Sequence, residues 1–130
     1  MNMGSIGKEF KRLTSSFKYA IEGLLHVIKR ERNMQIHLTI ACIILFLAYF
    51  FSVSKMEWIV LLLCIGIVIS LESMNTAIER AIDLCTEEIK PLAKQAKDTA
   101  AAAVFVFAII SVIIGLIIFT EPLLTFLNFL

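Results

Sequence analysis

The chain has 130 residues, of which 59% are hydrophobic and only 18% charged, and its mean hydropathy is +0.89. A water-soluble domain of this size would leave much of that apolar surface wet, so the composition excludes an ordinary soluble domain and points to an integral membrane protein. A net charge of +1, with no cluster combining dense Lys/Arg and aromatics, also sets aside a nucleic-acid partner.

The first predicted element is a helix over 5–30. Ile6, Phe10, Leu13, Phe17, Ile21, Leu24 and Ile28 recur in steps of three and four, one face of a helix. Lys8, Glu9, Lys11, Arg12, Lys18, Glu22 and Lys29 fall mostly off that stripe. This is the pattern of an amphipathic helix lying in the membrane interface with its basic residues toward headgroups. A soluble helix packed on a partner domain is the alternative, and the apolar remainder of the chain leaves little room for such a domain. The segment lacks the continuous apolar core of a cleavable signal peptide.

The first membrane span is predicted over 34–53, about the 30 Å of a hydrocarbon core. Ser52, Ser54 and Lys55 mark a tight reversal. The second span, 56–84, opens with Trp58 as an interfacial anchor, but its apolar run from Trp58 to Leu71 covers only fourteen residues. A helix that continues to the far side must therefore carry Glu72, Asn75 and Glu79 at or just inside the membrane boundary. The third span, 91–120, starts at Pro91, carries Lys94, Lys97 and Asp98 ahead of the bilayer, and is expected to end at Glu121 and Pro122. The fold class is an all-α integral membrane protein, three transmembrane helices and a surface helix forming one embedded unit over 1–130.

Seven of the twelve Lys/Arg precede residue 33, four lie between Arg80 and Lys97, and Lys55 stands alone. The positive-inside rule puts the N-terminal helix and the loop between spans two and three in the cytoplasm, with the C-terminus outside the plasma membrane. Cys42, Cys64 and Cys85 show no CxxC or metal spacing and read as apolar filler. Ala100 to Ala103, Ala108, Ser111 and Gly115 are small enough for close helix packing in lipid.

The candidate chemistry sits in Glu72-Ser-Met-Asn75-Thr-Ala-Ile-Glu79-Arg-Ala-Ile-Asp83. Steps of three, four and four put Glu72, Asn75, Glu79 and Asp83 on one narrow helix face, Glu72 and Glu79 about 10 Å apart. Acids emerging from an apolar run are costly without a compensating cation, so a bound metal ion or a proton path is the default reading. The bland reading is a solvated helix extension with Glu72 paired to a Lys or Arg. Glu31, set among Lys29, Arg30 and Arg32, is by itself an ordinary surface ion pair. Taken with Glu79 on the same membrane face, and with no His or Cys at hand, it suits a hard cation such as Mg²⁺, whose remaining ligands are commonly water and nucleotide phosphates. No GxxxxGK[ST] loop is present, so phosphate would fall to scattered groups such as Arg12, Lys90, Lys94 and Lys97, each of which reads equally as a headgroup or topology residue. His26 and His37 read as interface residues and have no Ser or Cys partner for a triad.

The acid stripe resembles the E-x-x-N-[ST]-A-x-E-x-x-x-D signature of the small prokaryotic diacylglycerol kinase family. Glu31-Arg-Asn-Met-Gln-Ile-His37, Glu57-Trp58 and Pro91-Leu-Ala-Lys-Gln-Ala-Lys97-Asp98 match that family in order along nearly the whole chain. The Glu31-Arg-Asn, Pro91-Leu-Ala and Lys97-Asp98-Thr-Ala-Ala blocks look like its Gram-positive branch, which phosphorylates undecaprenol in preference to diacylglycerol. Ala101 stands where the diacylglycerol branch has Ser. The resemblance implies an ATP-dependent lipid kinase, a homotrimer, and active sites shared between neighbouring copies at the cytoplasmic interface. It makes Glu72 the general base and Glu31 and Glu79 the Mg²⁺ ligands. Asn75 and Asp83 would line the site, with Arg12, Tyr19, Lys97 and Asp98, and more loosely Glu88 and Lys90, around the nucleotide. Independently, a lipid alcohol presents its hydroxyl where lipid meets water, about the depth of Glu72, and a carboxylate desolvated among Leu71, Met74 and Ile78 is a better base than one in water. Phosphoryl transfer needs mainly positioning and charge neutralisation, within reach of so small a protein. A proton-coupled transporter and a non-enzymatic assembly factor are the readings from other classes. The first expects its acid near mid-membrane, and the second gives no reason for the acid stripe.

Overall fold

The computed structural model describes residues 3–85, 88 and 90–128, with side chains from residue 7 onward. The side chain of Ile6 in the predicted stripe and residues 86, 87 and 89 of the loop after the acid segment lie outside that description. Four helices follow one another, α1 (Met3–Arg30), α2 (Arg32–Phe50), α3 (Lys55–Cys85) and α4 (Pro91–Asn128), and the last three are long and apolar enough to cross a membrane. At 1.5 Å per residue they measure about 28, 46 and 57 Å, so α3 and α4 outrun a 30 Å hydrocarbon core.

Each junction has a local cause. Between α1 and α2 a single residue, Glu31, leaves the helical region at φ −97° and ψ 117°. The Gln35 side chain donates back to the carbonyls of Ile28 (3.2 Å) and Lys29 (3.3 Å), capping the end of α1, where Lys29 and Arg30 also complement the helix dipole. The reversal expected at Ser52 to Lys55 is present. Ser52 takes a positive φ of 53°, while its N–H bonds Tyr49 O (3.1 Å) and that of Val53 bonds Ala48 O (3.1 Å), a Schellman ending with Ser in the usual glycine position. Ser54 then opens α3 with Glu57 in a reciprocal capping box: the Ser54 N–H donates to Glu57 Oε2 (2.7 Å) and the Glu57 N–H to Ser54 Oγ (3.3 Å). Glu57 is thereby committed to structure.

Packing is closest between α3 and α4, and α2 lies against α3. At the reversal end Ala48, Leu61 and Ile118 form a buried core flanked by Ile44, Val53, Trp58 and Phe119. Here α4 departs from expectation. Instead of stopping at Glu121 and Pro122 it runs on to Asn128 with Pro122 inside. Pro122 removes one backbone bond, but Phe126 packs edge-on against Phe50 (5.8 Å) and Phe51 (6.2 Å), Phe51 also meets Phe119 (6.3 Å), and the Thr125 hydroxyl returns to Glu121 O (2.9 Å). These contacts hold the last two turns in place. Along the apolar stripe of α1, Phe10, Leu13, Phe17, Ile21 and Leu24 are exposed, and Val27 is the one buried apolar residue on this helix among the described residues.

Candidate active site

Glu72, Asn75 and Thr76 on α3 are the buried polar residues among those described, 3%, 5% and 3% exposed. Their burial follows from the face of α3 they share, which packs on the neighbouring helices while Met74 between them is exposed; Glu72 also lies fourteen residues past Trp58, about 21 Å along the helix axis, inside a 30 Å hydrocarbon layer if Trp58 marks its edge. The Thr76 hydroxyl is satisfied by Glu72 O at 3.0 Å. Asn75 Nδ2 donates to Glu79 Oε1 at 3.0 Å, while Asn75 Oδ1 is buried with no partner. Among the described residues nothing donates to the Glu72 carboxylate, which is desolvated and lies within the fields of His37, Glu79 and Glu31. A desolvated carboxylate beside an orphaned amide oxygen is a costly arrangement for structure alone.

The other candidates gather in part. Glu31, at the α1–α2 junction, is drawn to α3 by Arg80, whose Nη2 donates to Glu31 Oε1 at 2.6 Å. Asp83 accepts from the Lys97 ammonium, which ties α3 to α4. Asp98 pairs with Lys94 at 2.5 Å and Glu88 lies 3.6 Å from Lys90. Arg12 pairs with Glu9 (3.9 Å) on its own helix and among the described residues meets none of the other candidates. Tyr19 borders an open cavity of about 440 Å³ between α1 and α3, shared with His26, Ser73, Thr76 and Arg80. Among the described residues no three His, Cys, Asp or Glu side chains converge on a common metal position.

Below the acids lies a second, half-open cavity of about 330 Å³ between α2, α3 and α4. Its wall is almost wholly apolar, with Ile40, Ile44, Ile65, Val68 and Ile69 among the lining residues. Ala41, Cys64, Ala108 and Gly115 leave the space by being small, and a Cβ on Gly115 would meet nothing within 4 Å. His37 stands at the polar end, and Ile69 is three residues, less than one helical turn, before Glu72. A tail-sized apolar slot thus ends beside the buried carboxylate.

Arg80 and His37 are the residues whose place sequence reasoning did not foresee. Arg80 lies inside the acid stretch one step after Glu79, and His37 opens span one; neither spacing announces its role, because the Arg80 bond to Glu31 and the electrostatic influence of His37 on Glu72 each join different helices.

Helices long and apolar enough to span a membrane, a buried carboxylate and an apolar slot that ends within a turn of it fit a membrane enzyme that works on a lipid. Comparison with known proteins makes this specific. The model of the family described as prokaryotic diacylglycerol kinase matches residues 18–119. The undecaprenol kinase of Bacillus subtilis is 47% identical over 115 residues, 88% of this chain and 94% of that protein. Diacylglycerol kinases of Haemophilus influenzae (32% over 108 residues, 82% of this chain and 92% of that one) and Synechocystis (36% over 114, 87% and 65%) are also similar. The chain belongs to the prokaryotic diacylglycerol kinase family and is an ATP-using membrane lipid kinase.

Proposed function

We propose that this kinase transfers the γ-phosphate of ATP to the hydroxyl of undecaprenol, giving undecaprenyl phosphate and ADP. The observation that carries this reading is the apolar slot between α2, α3 and α4 that ends within a turn of buried Glu72. A polyprenol is a long apolar chain with one hydroxyl, and the half-open slot accepts its first isoprene units, with the rest of the chain in the bilayer and the hydroxyl at the carboxylate. Similarity to a protein named for this activity supports the choice of lipid. In the reaction the lipid oxygen attacks the γ-phosphorus, the bond from that phosphorus to the β-γ bridging oxygen breaks, and Glu72 takes the hydroxyl proton as general base. No described side chain donates to this carboxylate, which leaves its lone pairs open to the lipid hydroxyl.

Glu31 and Glu79 are assigned to hold Mg²⁺ with the nucleotide. The donor set fits: all ligands are oxygens, few protein carboxylates are needed when phosphates supply the rest, and the unpartnered Asn75 Oδ1 adds a carbonyl acceptor beside Glu79. When bound, the ion neutralises phosphate charge. Asn75 holds the Glu79 carboxylate in place, and Asp83 lines the site through its pairing with Lys97. Arg12, Tyr19, Lys97, Asp98, Glu88 and Lys90 are assigned to the nucleotide.

The whole chain works as one embedded unit in the plasma membrane, with the site and the N-terminus on the cytoplasmic side, as the distribution of basic residues supports. The exposed stripe Phe10, Leu13, Phe17, Ile21 and Leu24 rests on the membrane interface. Three copies assemble, each site completed by its neighbour, which accounts for Arg12 having no partner among the other site residues of its own chain.

Diacylglycerol is the second lipid, favoured by the names of the Haemophilus and Synechocystis relatives. The deciding experiment gives the purified full-length protein labelled ATP and Mg²⁺ with undecaprenol and diacylglycerol in parallel. Faster labelling of undecaprenol is expected. Faster labelling of diacylglycerol overturns the choice of lipid, and no label in either overturns the reaction.

A further inference from the structure

Arg80 is the charged residue of the acid stretch that the reading above leaves without a task. Its bond to Glu31 Oε1 uses one N–H of a guanidinium that carries five, and among the described residues no other acceptor meets it. The side chain is 43% exposed, so the remaining donors are open to a ligand. Arg80 also borders the α1–α3 cavity together with Tyr19. The neighbouring cations are paired as well, Lys97 with Asp83, Lys94 with Asp98, Lys90 with Glu88 and Arg12 with Glu9, but among the described residues Arg80 alone is paired with a carboxylate assigned to the metal. Glu72, Glu79, Glu31 and Asp83 gather acids at the site itself, and a nucleoside triphosphate would add several more negative charges. A cation that already touches one of these acids and keeps spare donors is what such a ligand requires. A guanidinium fork suits phosphate oxygens better than a point charge does.

We propose that Arg80 is a phosphate contact of the nucleotide site: one N–H fixes Glu31, and the remaining donors bind phosphate oxygens of ATP entering from the α1–α3 cavity. The proposal rests on the assignment of Glu31 and Glu79 to the nucleotide and its metal. The Arg80 pair with Glu31 would then bring α2 and α3 to the nucleotide together, which explains why the Glu31 carboxylate, at the cap position of α2, makes no capping bond to its own helix.

The test compares Arg80→Gln and Arg80→Lys with the unsubstituted full chain in detergent. KM for Mg·ATP, KM for the lipid and kcat are measured, along with the rise in melting temperature that ATP produces in EDTA, where no metal contributes. For Arg80→Gln the expected result is a KM for Mg·ATP raised about tenfold, an unchanged KM for the lipid and loss of protection by metal-free ATP. Arg80→Lys keeps a cation beside Glu31, so it should melt like the unsubstituted protein while KM for Mg·ATP still rises severalfold. Unchanged KM for Mg·ATP and undiminished protection by metal-free ATP in Arg80→Gln would overturn the proposal. So would equal losses for both substrates accompanied by early melting that Arg80→Lys fully repairs, since that marks a structural ion pair. Glu79→Gln in the same assays separates the two levels. A changed Mg²⁺ dependence there beside a silent Arg80→Gln sinks the arginine alone, whereas an unchanged Mg²⁺ dependence sinks the underlying assignment.

Discussion

The two ends of the helical bundle are built by opposite rules. At the reversal end the chain supplies its own partners: a Schellman turn closes α2, a capping box opens α3, and Ala48, Leu61 and Ile118 form a buried core with Phe119, itself part of a ring cluster with Phe50, Phe51 and Phe126. At the polar end demands are left open. Asn75 Oδ1 is buried without a partner, the Glu72 carboxylate accepts nothing from the described residues, and Arg80 keeps unused donors. The apolar cluster of Ala48, Leu61 and Ile118 lies at the far end, while at the polar end buried apolar residues such as Val27 and Met34 share the space with polar groups that the chain itself does not satisfy.

The sharpest way to break this contrast is Glu72→Gln. The substitution preserves shape and removes the proposed base, so transfer to lipid should fall by about 10² to 10⁴ in kcat, with KM for Mg·ATP and the melting temperature near those of the unsubstituted chain. Loss of nucleotide binding instead would move Glu72 from the lipid hydroxyl to the metal. A rise in melting temperature would fit an active-site charge whose burial costs stability; a steep fall would mean that the polar end also holds the fold together.

The reverse experiment is Leu61→Ala. Leu61 is 3% exposed in the core of the reversal end, and truncating a buried leucine costs about 2–5 kcal/mol. Thermal melting in detergent should register that loss, while kcat per folded enzyme stays the same. A kcat that falls in step with stability would show that the two ends are mechanically coupled and that the division of labour is wrong.

Much of this division is legible in the amino-acid sequence, for identifiable reasons. Spans are fixed by length and hydropathy, which act locally, so the three apolar helices and the reversal at Ser52 to Lys55 follow from composition and turn chemistry. Glu72, Asn75, Glu79 and Asp83 share a face because helical periodicity is rigid. What escaped is tertiary. The Pro122 stop signal is overridden by Phe126 meeting rings from α2, and no local pattern encodes that contact. Glu31 looked like a partner for the basic residues beside it in sequence, yet its carboxylate goes to Arg80, forty-nine positions away. The slot below Glu72 exists because small residues on three helices happen to face one another, and each was readable only as a site of close packing.

The smallest expected effect on stability tests a residue that stands between the two rules. Lys97 is paired with Asp83 across α3 and α4 and is also assigned to the nucleotide. Its side chain is 36% exposed and that of Asp83 64%, so solvent screens the pair and its contribution is at most about 1 kcal/mol. Lys97→Met should therefore barely move the melting temperature. If Lys97 leaves Asp83 for phosphate when ATP binds, the same substitution raises KM for Mg·ATP, and Asp83→Asn, which frees the ammonium in advance, leaves that KM unchanged or lowers it. Opposite responses from the two halves of one ion pair identify a cation exchanged between protein and substrate. Equal and silent responses would make Lys97 a plain tie between α3 and α4, leaving fewer cations to meet the nucleotide and placing more of that task on Arg80.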